Sequence, residues 1–155
     1  MKNVALIFIT AFSVCIAMPV FAAHHKVADI VIDAPYVRAP VSGQAMTAGF
    51  FKASNNTDKN CVLTGVSSNY AKKIEFHAHQ HIDGMMRMRP VSQVELPAGS
   101  DLHFKPGGLH LMFFGLSSSD QLSVDLSLIT DNCGEISFKA PIRSIKSMLM
   151  DSVRR

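Results

Sequence analysis

At 155 residues, 48% hydrophobic and 17% charged, the chain is sized for one ordinary domain with a core large enough to fold unaided, which argues against two domains. Fifteen Lys and Arg against twelve Asp and Glu give a net charge of only +3, and no basic run is long enough to form a nucleic-acid surface. Nine Met and seven His stand against no Trp; thioethers and imidazoles are ligands that late transition metals select, although Met also fills cores.

In chain order, Lys2 is a short positive region, an apolar run follows from Val4 to about Met18, and Pro19-Val20-Phe21-Ala22-Ala23 closes the segment. This pattern predicts a signal peptide over residues 1–22, cleaved after Ala22 or Ala23, and an exported, periplasmic domain. The run is shorter than the roughly 20 residues a spanning helix needs, so no stable membrane insertion is expected after cleavage. Val14 beside Cys15, in the middle of the run, argues against lipidation there. Cleavage after Ala22 would leave Ala23-His24-His25, whose amine, two amides and His25 imidazole can wrap a square-planar N4 set around Cu(II) or Ni(II); two solvated histidines in a frayed terminus are the plainer reading.

The body, residues 23–143, reads as β structure. Ile30–Arg38, Thr47–Ser54, Val62–Ser67, Lys72–His79, Met85–Glu95, Leu102–Lys105, Leu109–Phe114, Gln121–Leu128 and Glu135–Ile142 are short β-branched, aromatic or alternating stretches. They are separated by turn chemistry such as Asn55-Asn56-Thr57-Asp58, Asp83-Gly84 and Pro106-Gly107-Gly108. The expected fold is all-β, a Greek-key sandwich or barrel of about eight to nine strands. Residues 144–155 form a tail, where Met148 and Met150 are weak candidates for an added metal site. Cys61 and Cys133, in an oxidising compartment, are either bridged or two free, buried thiols.

The chemistry concentrates between residues 77 and 112. Strand alternation in Lys73–His79 puts His77 and His79 on the face away from the core, and the same alternation in Leu109–Phe113 puts His110 and Met112 on an outward face. Asp83-Gly84 is a two-residue hairpin signal. Its return strand carries Met86 and Met88 on one face, Arg87 and Arg89 on the other, with His79 opposite Met88 and His77 diagonal to it. Each of these residues alone is more often a surface His or a core Met; their recurrence on outward faces of several strands is what points to a metal.

The spacing His77, ten residues, Met88, twenty-one residues, His110, one residue, Met112 resembles the motif of the PCu(A)C family of periplasmic copper chaperones. Glu75-Phe76-His77, Asp83 to Pro90, Leu96-Pro97-Ala98-Gly99, Lys105 to Met112 and Gly115-Leu116 resemble it too, and the likeness spans about residues 30–142. Tyr36-Val37-Arg38 departs from the family's usual Trp-Val-Arg. The resemblance implies a cupredoxin-like barrel that is no enzyme and binds one Cu(I) through His77, Met88, His110 and Met112. It also implies delivery to the CuA centre of cytochrome c oxidase, alongside Sco-type proteins. Soft Cu(I) suits an uncharged N2S2 set, whereas Mg or Ca would need oxygen ligands.

Hairpin pairing favours His79 as the first ligand and the family spacing favours His77. The expectation follows the spacing, with a loop wider than Asp83-Gly84 resetting the register and His79, His81, Met85 and Met86 left as auxiliary ligands. A periplasmic copper-buffering protein would use the same four ligands. An electron-transfer cupredoxin would need a Cys ligand, and Cys61 and Cys133 lie outside the motif. A metallohydrolase would need an open position and a general base, for which Glu75 is the nearest candidate. A purely structural domain leaves the spacing unexplained.

Overall fold

The computed structural model describes residues 29–82, 84–117, 121–144 and 147. The leader, His24, His25, Met148 and Met150 lie outside the described residues.

Among the described residues, alternating apolar residues build ten strands: β1 Ile30–Arg38, β2 Met46–Asn55, β3 Cys61–Ser67, β4 Ala71–Ile82, β5 Met85–Val91, β6 Val94–Leu96, β7 Asp101–Phe104, β8 His110–Leu116, β9 Ser123–Thr130 and β10 Glu135–Arg143. They join in the order β5-β4-β8-β2-β1-β10-β9-β3-β6, with β7 paired to β2. The path folds over so that its halves share one core. Phe51, Phe76, Leu111 and Phe113 from one half meet Leu63, Leu96, Leu126 and Leu128 from the other, and the Phe51 and Phe138 rings lie 5.4 Å apart. The fold is all-β and cupredoxin-like.

Two features depart from the sequence reading. The stretch Met85–Glu95 is two strands: β5 carries Pro90 and pairs with β4, the chain bends at Ser92, and β6 pairs with β3 in the other half. Among the described residues the strand count is therefore ten. In β1 the register to β2 shifts by one residue between Asp33 and Tyr36, around Ala34 at φ 47°, a left-handed conformation costing an Ala roughly 1–2 kcal/mol. A one-residue slip exchanges the faces of everything beyond it. Before the bulge Ile30 and Ile32 face the core; after it Val37 does, which turns Tyr36 and Arg38 onto the outer face.

Cys61 and Cys133 are joined as a disulfide with Cα atoms 5.8 Å apart. Beside it, Asn55, 1% exposed, donates through Nδ2 to the carbonyls of Lys59 (2.8 Å) and Leu96 (3.0 Å). Its Oδ1 accepts from the Thr57 amide at 3.0 Å and hydroxyl at 2.7 Å. Asn55→Ala strands the buried Leu96 carbonyl and breaks the bonds to Thr57 and Lys59, and is expected to cost about 1–3 kcal/mol, measured as a lowered urea midpoint.

Candidate metal centre

The outer face of β4 is built by alternation, which sends Glu75, His77, His79 and His81 to one side. Pairing then sets a partner beside each. Glu75 lies opposite Met112 and His77 opposite His110 on β8, while His79 lies opposite Met88 and His81 opposite Met86 on β5. The result is a ladder of four rungs, each one pairing a soft ligand or an imidazole with its neighbour, stepped about 7 Å apart along the strand. His77 and His110 occupy the second rung, and Met112 and Met88 belong to the rungs on either side of it.

Ile82 pairs directly with Met85, so the hairpin closes with a two-residue loop and the wider loop is not formed. Gly84 supplies the positive φ, 75°, that this tight turn requires. The pairing therefore keeps His79 opposite Met88 and turns Met85 to the face opposite Met86, away from the ladder.

His110 does not lie on an open rim. It faces outward as alternation requires, yet it is only 3% exposed. Phe50, 6.3 Å away between ring centroids, His77 at 6.0 Å and His79 at 5.5 Å cover it. Tyr36, brought over by the bulge, packs at a tilt against Phe50 with ring centroids 5.1 Å apart, and the Arg38 guanidinium carbon lies 5.5 Å from the Phe50 ring centroid. Solvent reaches the ladder from the other side, through β5, where Met88 is 50% exposed.

Hydrogen bonds set which ring nitrogens keep a lone pair. Gly108 offers a carbonyl, which can only accept, so the Nδ1–H of His110 donates to it at 2.8 Å and that of His79 at 3.3 Å. Both rings then present a bare Nε2. His77 donates from Nε2 to Glu75 Oε2 at 2.9 Å, leaving Nδ1. Glu75 is itself held by Lys73; the Lys73 and His77 hydrogen bonds keep its carboxyl below the usual carboxylate range. Among the described residues no three His, Cys, Asp or Glu side chains are arranged as a metal cluster; Met112, Met88 and Met86 are the thioethers on the same face.

Sequence reasoning placed Glu75 on the His77 face but did not see it as the group that orients the ring; the i, i+2 spacing carried that signal. The Tyr36–Phe50 cover has no local signal, since it depends on contacts between distant strands; the Gly108 carbonyl lies two residues from His110 and reaches His79 only across strands.

Residues 30–142 match the model of the family described as "Putative lipoprotein LpqE-like", which is the PCu(A)C family. The chain belongs to the PCu(A)C family. A relative named "Putative lipoprotein Lxx21020", from Leifsonia xyli subsp. xyli, is 33% identical over 95 residues, 60% of this chain, which spans only 56% of that relative. The copper-bound PCuAC domain from PmoF2 shares the fold of this PCu(A)C domain at a TM-score of 0.63 and 24% identity, covering 77% of this chain and 97% of that one. The Cu(I) form of DR1885 from Deinococcus radiodurans does so at 0.62 and 22%, covering 79% and 83%.

Burial of His110 also has a pH consequence for this PCu(A)C domain. Desolvation disfavours the charged ring and holds its pKa below the ordinary value of 6.5, only partly opposed by the Gly108 bond. Above that value the ring is neutral folded and unfolded alike. Below it the unfolded chain takes up a proton that the folded ring refuses, so stability falls as pH drops from 6.5 toward the folded pKa. The urea midpoint of the metal-free domain is expected to decline between pH 7 and 5, by no more than about 1.4 kcal/mol per pH unit from this one group. The lowered Glu75 pKa acts in a more acidic window, below its ordinary 4.5.

Proposed function

We propose that this domain is an exported Cu(I) metallochaperone, with His77, His110, Met88 and Met112 as its ligands and the CuA centre of cytochrome c oxidase as its acceptor, reached directly or through a Sco-type protein. The observation that carries the ligand set is the second rung: His77 and His110 are directly opposed, and one methionine belongs to each flanking rung. His79 as the first ligand would put Met112 two rungs away, roughly 14 Å along the strand. Two similar structures are copper-bound forms, one of them with Cu(I).

The chemistry of the donors supports this reading. Two neutral imidazoles and two thioethers leave the charge of a monovalent ion uncompensated, which favours Cu(I) over Cu(II). Thioethers do not titrate, so acid weakens the site only through its imidazoles. Buried His110 is a fixed anchor, whereas half-exposed Met88 sits on the end strand of the sheet and is the ligand a partner's donor can displace first. Export rests on residues 1–22, and a second, Cu(II) site at Ala23-His24-His25 rests on cleavage after Ala22.

Mixing the Cu(I)-loaded domain with the soluble CuA domain of the host oxidase tests the assignment. Metal transfer to the CuA domain is expected. No transfer, together with copper sensitivity of a deletion strain whose oxidase activity is normal, would instead make the protein a copper buffer. In parallel, Cu(I) titration of His77→Ala and His79→Ala is expected to show the larger loss for His77→Ala; the reverse order would exchange the two histidines.

A further inference from the structure

The ladder does not end at His79 and Met88. His81 and Met86 are direct partners one rung nearer the hairpin loop. Both are exposed, Met86 to 54%, so neither is spent on packing the core. Directly opposed residues in an antiparallel pair hold their Cβ atoms about 4.5–5.5 Å apart. That gap suits an ion held between an imidazole and a thioether by bonds of about 2.0–2.3 Å.

We propose that His81 and Met86 form a second, weaker Cu(I) site, a two-ligand landing point from which the ion passes by way of His79 and Met88 to the four-ligand centre. Each step is one rung, about 7 Å, and unbranched Met, with three rotatable bonds, can swing its sulfur between neighbouring rungs. The face is selective. Met85 pairs with Ile82 and points to the other side, and Arg87 and Arg89 pair with Gln80 and Ala78 on that same far side, so the β5 cations stand off the path of an incoming monovalent cation. β5 is also an end strand of the sheet and is exposed from Met85 to Pro90. The direction of transfer rests on the copper reading of the centre; the His81–Met86 site itself does not.

Cu(I), buffered by a competing chelator, is titrated into the wild-type chain, the double variant His81→Ala/Met86→Ala and His110→Ala, with the Met86 methyl resonance followed by NMR and folding checked by circular dichroism. The expected result is two Cu(I) per wild-type chain, the weaker one moving the Met86 methyl. The double variant should keep only the tight equivalent and His110→Ala only the weak one. Loading of the centre in the double variant should be several-fold slower. Wild type binding a single Cu(I) with Met86 unmoved, or a double variant that keeps both equivalents, overturns the site; unchanged loading kinetics overturn the relay. A wild type with a weak equivalent that the double variant lacks, but no tight one, upholds the landing site while refuting the four-ligand centre.

Discussion

Reduction of the Cys61–Cys133 disulfide is expected to cost the domain roughly 2–4 kcal/mol and on the order of 10 °C in Tm. The bond closes a loop of 72 residues in sequence separation, for which the chain-entropy estimate is about 4 kcal/mol, minus whatever order the reduced unfolded chain retains. It ties the start of β3 to the turn between β9 and β10, and Cys61 is wholly buried beside Leu96 and Asn55. Replacing both cysteines by Ala therefore adds a small packing loss to the entropic one. Since Cys61 at the start of β3 and Cys133 in the β9–β10 turn are not among the ladder residues of β4, β5 and β8, Cu(I) stoichiometry of the folded fraction should be unchanged. Urea titrations with and without reductant check both statements: an unmoved midpoint refutes the first, and loss of copper binding from chains that are still folded refutes the second.

Most of what positions the ladder was legible because it is local. Period-two alternation in Glu75–His81 and His110–Met112 fixes which side chains share a face, and Asp83-Gly84 fixes the hairpin register that sets His79 against Met88 and His81 against Met86. The hairpin keeps its two-residue loop, so the register reset expected from a wider loop does not occur. His77 does not need a shifted hairpin to join the site, because its direct partner is His110 on β8 and Met88 approaches from the adjacent rung. What the sequence hid is non-local. Pro35 marks a disturbance in β1 but not the one-residue slip that turns Tyr36 and Arg38 outward. Without that slip nothing implies that Phe50 and its neighbours cover His110. The break at Ser92 was marked only by Pro90 and by the loss of alternation at Pro90-Val91 and Ser92-Gln93, and the two different partners, β4 and β3, divide the stretch.

Replacing His110 is expected to have the largest effect on copper. Removal of a group that merely orients a metal ligand costs roughly 10–100-fold in affinity, and His110→Ala removes both a ligand and the ring that Gly108 has already oriented, so the loss should exceed that range. Its burial also means that no neighbouring solvent-exposed donor can simply rotate into its place. Burial complicates the test, because an imidazole-sized void, with the Gly108 carbonyl left only the longer His79 bond, should destabilise the fold by about 1–3 kcal/mol. Met112→Leu separates the two effects: it removes a thioether while conserving volume, at a stability cost below about 1.5 kcal/mol, and is expected to weaken Cu(I) strongly with a near-native urea midpoint. Met88→Leu should do less, since Met88 is half in solvent and His79 and Met86 flank it on the same face. The expected order of affinity loss in chelator competition is therefore His110→Ala above Met112→Leu above Met88→Leu. A Met88→Leu loss equal to that of His110→Ala would mean that the exposed thioether, rather than the buried imidazole, anchors the ion, and that release begins from the interior side of the rung.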